Sequence, residues 1–267
     1  PDGQAMIFTI CDLYGEYGRG RHGYGSCDLF VSMLEDGRWS NAKNLGPNIN
    51  SNLHDAQPSM SSDGRTVYFS STRRGGFGEN DIYMSTLTTR GWSIPVNLGD
   101  KINTKGREEG VSIHPDNETL YFTSNGHVGL GKSDVFMSKR QADGSWGEPI
   151  NLGYPINTPY DDLFYSATAS GRYAYIASNR AGGKGGLDIY RVTYWGADKP
   201  MTSDVQDQLM ASIAKPESDN TVAEPIIVEE KSLTVFKGKV IDAITKKPIE
   251  AAIEIILNET GKIYTSF

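Results

Sequence analysis

The sequence is poor in cysteine and histidine: its 267 residues hold two of the first and four of the second. Two cysteines exclude a scaffold held together by a dense disulfide framework. His22, His54, His114 and His127 fall at no metal-ligand spacing such as His-x-x-x-His, so no zinc site is legible. No apolar run approaches the ~18 to 20 residues of a membrane-spanning helix. Positive charge is in deficit, with 26 Lys and Arg against 33 Asp and Glu, a net charge of -7 and no basic stripe. That balance excludes a general nucleic-acid binder, because phosphate contacts need clustered cations. No G-x-S-x-G elbow is present to supply a hydrolase nucleophile. The chain opens on Pro1 with neither an initiator Met nor a signal-peptide pattern, so a fragment or a processed chain is expected. What is there in quantity is apolar residues, 37% of the chain, enough for one large domain and a small one.

Those residues recur in order. "DGRTVYFSST" at Asp63 returns as "DNETLYFTSN" at Asp116 and "SGRYAYIASN" at Ser170, and "DGQAMIFTIC" at Asp2 begins alike. "DIYMS" at Asp81 matches "DLFVS" at Asp28, "DVFMS" at Asp134 and "DIYRV" at Asp188, and "WSIPVNLGDKIN" echoes "WSNAKNLGPNIN" and "WGEPINLGYPIN". Between the four aspartates the period is 53, 53 and 54 residues, the size of a four-stranded propeller blade. Aromatic and β-branched residues alternate with polar ones over short runs, with Gly, Asn and Asp at the joints, and no helical period competes. Each blade is expected to run from an inner strand such as "QPSMS" through "TVYFS" and "DIYMS" to an outer strand near "PVNL", with "SDGR" and "PDNE" as first turns. The first blade lacks an inner strand and the fourth an outer one, so residues upstream of Pro1 are expected to complete the ring.

The blades resemble the TolB-type, WD-repeat-like β-propellers, "SSDGRTVYFSSTRRGGFGENDIY" being close to that family's repeat pattern, and the resemblance covers residues 1–195. In this register Cys11 stands opposite Thr72, Asn125 and Asn179, and Cys27 opposite Asn80, Ser133 and Leu187. Sister blades close that hairpin with seven residues where the first uses fifteen, so the cysteines bracket an insertion. Facing strands bring such a pair within disulfide reach, and a bridge implying an oxidising compartment is the expectation, with two free thiols as the alternative. The long loop, with Tyr14, Tyr17, Arg19, Arg21 and Tyr24, is the first candidate for a partner contact, because Tyr and Arg are enriched at interface hot spots, with a plain solvated loop as the favoured alternative.

Three further patterns invite chemistry. "GHVGLGKS", Gly126 to Ser133, fits the phosphate-loop spacing, but a nucleotide site needs a helix to begin there, and "DVFMS" continues as a strand; a plain hairpin loop is expected. Asp28, Asp81, Asp134 and Asp188 follow each glycine loop and suit carboxylates accepting backbone N–H groups of the turn. Asp55, Glu108 and Asp162 share a register ahead of the inner strands, where a ring of carboxylates would bind a cation or serve blade packing; packing is the expectation. No catalytic, cofactor or metal-binding residue is assigned.

After Trp195 the repeat fails. Residues 196–232 hold eight acidic and three basic side chains, the composition of a linker. From 233 to 267, "GKVIDAITKKPIEAAIEI" resembles the opening of the carboxypeptidase regulatory-like β-sandwich. A propeller followed by that module resembles the OmpA-family envelope lipoproteins, among them those of the type IX secretion system. The resemblance implies a non-enzymatic, periplasmic, outer-membrane-associated scaffold with envelope or secretion-system proteins as partners, reaching peptidoglycan only through a domain outside this chain. The alternative is a propeller enzyme, or a small-ligand or glycan binder using the channel mouth.

Overall fold

In the computed structural model the described residues are 3–12, 17, 18, 20–194, 254–256 and 263–266. The expectations for Tyr14, Arg19, the linker 196–232 and the start of the β-sandwich lie outside them. All described elements are strands: β1 (Ala5–Cys11), β2 (Cys27–Glu35), β3 (Arg38–Trp39), β4 (Lys43–Asn44), β5 (Asp55–Met60), β6 (Thr66–Ser71), β7 (Asp81–Thr88), β8 (Gly91–Trp92), β9 (Val96–Asn97), β10 (Glu108–Ile113), β11 (Thr119–Ser124), β12 (Asp134–Lys139), β13 (Ile150–Asn151), β14 (Asp162–Ala167), β15 (Tyr173–Ser178), β16 (Asp188–Thr193), β17 (Glu254–Ile256) and β18 (Ile263–Ser266). The first sixteen belong to a unit spanning Pro1–Lys215, and β17 pairs antiparallel with β18 in a second unit, Pro216–Phe267.

Within the first unit the strands make a four-blade β-propeller arrangement of antiparallel meanders: β1 to β4, β5 to β9, β10 to β13, and β14 to β16. The outer strands are only two residues long, and in the second blade both β8 and β9 pair with β7. The core lies between blades. Leu29 and Ile49 of the first pack on Val67 and Phe69 of the second. Tyr68 and Ile82 pack on Val111, Leu120 and Phe122 of the third, and Val135 and Ile156 on Tyr165 and Ile176 of the fourth. A single blade is a twisted sheet with two apolar faces, so it is stable only against a neighbour.

Every complete inner strand carries a bulge at the same place, between Ala56 and Ser59, Glu109 and Ser112, and Leu163 and Ser166. Gln57, Gly110 and Phe164 occupy it with φ of 55°, 59° and 55°. Only glycine adopts that conformation freely, so at Gln57 and Phe164 it costs about 1–3 kcal/mol each. At Gln57 the compensation is visible: its N–H donates to Thr9 Oγ1 of the first blade (2.9 Å), and its Oε1 accepts the Gly110 N–H of the third (2.7 Å). The bulge turns one backbone donor out of its own sheet and staples neighbouring blades.

Candidate interaction face

The loops between second and third strands, together with the segments leading into the inner strands, form one face. At Cys27 with His54, Asn80 with Arg107 and Ser133 with Asp161, short parallel bridges tie each loop to the next blade. The loops share a frame built from a carboxylate and two glycines. Asp81 accepts Phe77 N (2.6 Å) and Gly78 N (3.0 Å). Asp28 does the same for Tyr24 and Gly25, Asp134 for Leu130 and Gly131, and Asp188 for Lys184 and Gly185. The Asp then accepts an Asn amide, which is linked in turn to a second Asn: Asp28–Asn44–Asn50, Asp81–Asn97–Asn103 and Asp134–Asn151–Asn157. That second Asn mimics a strand residue. Asn50, Asn103 and Asn157 each accept the N–H and donate to the C=O of one residue, Leu29, Ile82 and Val135 respectively. The signal for these asparagines is the repeated "NLG…IN", which sequence reading uses only to set the period.

Asp55, Glu108 and Asp162 are the first residues of the inner strands rather than just ahead of them, and they are buried and engaged by protein donors. Asp55 accepts Ser51 N and Oγ, Ser71 Oγ and Arg73 Nη2 at 2.6 Å. Asp162 accepts Thr158 N and Oγ1 and Arg180 Nη2 at 2.7 Å, and Glu108 accepts Thr104 N and Oγ1 and Ser124 Oγ. Among the described residues no group of three or more His, Cys, Asp or Glu is placed to hold a metal ion.

Each blade also has a plug over its third-strand aromatic, which sequence reading misses. The Arg73 guanidinium lies 4.8 Å from the Tyr83 ring and donates to Ile49 O, and Arg180 lies 4.9 Å from Tyr190 and donates to Ile156 O. In the third blade the His127 ring takes this place, 5.1 Å from Phe136 with Nε2 2.9 Å from Ile102 O. In the first blade it is Tyr17, 5.9 Å from Phe30, whose hydroxyl donates to Gly25 O. Tyr17 therefore corrects one expectation: it is buried, with 8% of its surface exposed, and is a packing residue rather than a contact for a partner. Burial, then the nearby Asp28 carboxylate, push its phenol up to about 12. Arg21 bonds the Tyr17 carbonyl, and Tyr24 stands exposed at the loop tip. A cleft of about 520 Å³ opens between Asp12, Tyr17, Arg21, His22 and Tyr24.

Cys11 and Cys27 are direct partners in the β1–β2 ladder and form a disulfide. The phosphate-loop look-alike is the third blade's glycine loop. Its Gly129 abuts Asp134 and its Gly131 the carbonyls of Thr158 and Tyr160, which is why glycine stands at both. Lys132 donates its backbone N–H to Tyr160 O and leaves its side chain exposed.

No family model matches the sequence, and no curated protein matches it. Among solved structures the chain is similar to TolB from Acinetobacter baumannii, with a TM-score of 0.50 at 14% identity over 74% of this chain and 41% of that one. It is also similar to a putative TolB from Agrobacterium tumefaciens, TM-score 0.49 at 17% identity over 72% and 58% respectively. The chain thus spans about half the length of these proteins. The class defined by fold is the all-β propeller, with TolB-like structures among its neighbours. An α-L-arabinofuranosidase from Lactobacillus brevis is also similar, TM-score 0.44 at 12% identity over 76% of this chain and 73% of that one.

Proposed function

We propose that the chain is a non-enzymatic, periplasmic protein-interaction module, part of an outer-membrane-associated, peptidoglycan-linked lipoprotein of the type IX secretion system that holds envelope proteins together. The observation that carries the scaffold reading is the division of labour among side chains. The buried carboxylates and the plug residues serve the frame through named hydrogen bonds and ring contacts, while the side chains turned outward come from rigid, repeated turns. A rigid frame presenting variable loops is a common design for recognition. The envelope setting is supported by the "SSDGRTVYFSSTRRGGFGENDIY" and "GKVIDAITKKPIEAAIEI" resemblances and by the disulfide, which suits an oxidising compartment. Purification of the full-length protein from crosslinked envelopes is the test. The expected result is a constant set of partner proteins in fixed stoichiometry. Recovery as a lone protein that turns over a glycan or peptide substrate would overturn the reading.

A further inference from the structure

In the glycine loops the glycines are fixed by their surroundings, while the residue between them is held by its backbone alone. A Cβ at Gly76, Gly129 or Gly183 would lie 2.2, 2.1 or 2.2 Å from the loop's own Asp carboxylate, and one at Gly25, Gly78 or Gly131 would lie 1.7, 2.3 or 2.2 Å from a carbonyl oxygen of the next blade. The residue between the two glycines is Tyr24, Phe77, Leu130 and Lys184 in successive blades. Its backbone N–H is held by the Asp in all four, so its side chain is the free variable of a constant frame. In three blades it is large, apolar and about half exposed: Tyr24 49%, Phe77 50% and Leu130 55%. The frame does not require this, because Lys184 occupies the same turn.

The ground between these tips is cationic in a chain of net charge -7. Arg74, Lys105, Arg107 and Lys132 are exposed on this face. The acids there are partly engaged: Glu79 sits 3.7 Å from Arg107, and Asp161 accepts the Asn179 amide. Apolar side chains, one per blade, with cations between them, complement a strand-like segment that carries both apolar residues and carboxylates on one face, at every second position.

Building on the scaffold reading, we propose that this face docks an acidic, extended segment of a partner protein, its apolar side chains resting on Tyr24, Phe77 and Leu130 and its carboxylates on Lys105, Arg107 and Lys132. The extended form is favoured because it covers the most blade rim per residue, about 3.3 Å each.

The test uses the full chain as bait for a displayed library of random dodecapeptides, followed by fluorescence anisotropy on the peptides recovered. Recovered peptides should carry Asp or Glu together with Leu, Phe or Trp at every second position, on one face of the extended chain. Phe77→Ser with Leu130→Ser should weaken their binding by about tenfold or more, as truncation of hot-spot contacts does. Lys105→Glu with Lys132→Glu should weaken it comparably and flatten its salt dependence. Val96→Ser with Ile150→Ser, which alters equally exposed apolar side chains on the outer strands, should change nothing, and all variants should keep the parent unfolding midpoint because each substituted side chain is exposed. Basic peptides, or acidic ones insensitive to the face substitutions, would overturn the proposed surface and leave the scaffold reading standing. Recovery of no binding peptide would overturn the surface, and absence of envelope partners as well would overturn the scaffold reading on which it rests.

Discussion

At the scale of single residues, two of the blades pair a buried carboxylate with an arginine, Asp55 with Arg73 and Asp162 with Arg180. Arg73 neutralises the fully buried Asp55, bonds the Ile49 carbonyl and covers two aromatic rings, so one side chain closes the polar end of a blade interface. Arg73→Met should remove all three and strand a buried carboxylate, at a cost of about 2–3 kcal/mol. The check is the denaturant midpoint at unchanged m-value. Adding Asp55→Asn should recover part of the loss, because the stranded charge is then gone, and a double variant no better than the single one would locate the cost in the rings. The plug was not legible in the sequence. Arg73 and Arg180 stand two positions past the last residue of the second strand, His127 stands three past it, and Tyr17 returns from an insertion. Three residue types at three offsets share only the place they fill.

At the scale of elements, the glycine loop and the bridged loop make separate predictions. Gly131→Ala puts a Cβ 2.2 Å from the Thr158 carbonyl oxygen, part of a backbone that cannot turn aside. It should cost about 2 kcal/mol by overpacking, whereas Lys132→Ala should be within about 0.5 kcal/mol of the parent. Calorimetry with ATP and magnesium should be silent for the parent chain; binding abolished by Lys132→Ala would contradict the hairpin reading of this loop. Cys11→Ser with Cys27→Ser opens a fifteen-residue loop, worth at most about 3 kcal/mol in the chain-entropy account. The other three blades close the same hairpin without a bridge, so far-UV circular dichroism of the variant should match the parent. A collapse of the β signal would mean the bridge builds the blade. The strands themselves were largely readable from alternation and turn residues. The inner-strand bulge was not, since two of its three left-handed positions carry Gln57 and Phe164, residues that by themselves disfavour positive φ.

At the scale of the whole molecule, cohesion depends on interfaces between blades, and several tyrosines are placed there. Burial raises the phenols of Tyr68, Tyr121 and Tyr165, with Tyr121 at about 12 and Tyr165 higher still, the latter also bonded to the Tyr194 hydroxyl at 2.6 Å. These folded-state values lie above the ordinary 10.0 of an unfolded chain. A group raised in this way contributes stability that is complete below pH 10 and is lost as the pH climbs through about 12. Unfolding free energy should therefore be flat in mild alkali and fall steeply between those values, in step with tyrosinate absorbance. A fall that begins well below pH 10 would place its cause elsewhere.

The sequence by itself determined the period, the strand order within a blade, the glycine loops and the facing positions of Cys11 and Cys27. Each is a local consequence of turn chemistry and side-chain alternation, repeated often enough to be read. Only the tertiary structure decided which donors within the frame Asp55, Glu108 and Asp162 bond, that Tyr17 belongs to the core, and that Tyr24, Phe77, Leu130 and Lys184 share one outward station. The partners of those groups are contributed by different strands, and in several cases by the next blade, a repeat away along the chain. A linear pattern records which side chains are available; which of them meet is set by how one blade packs on another.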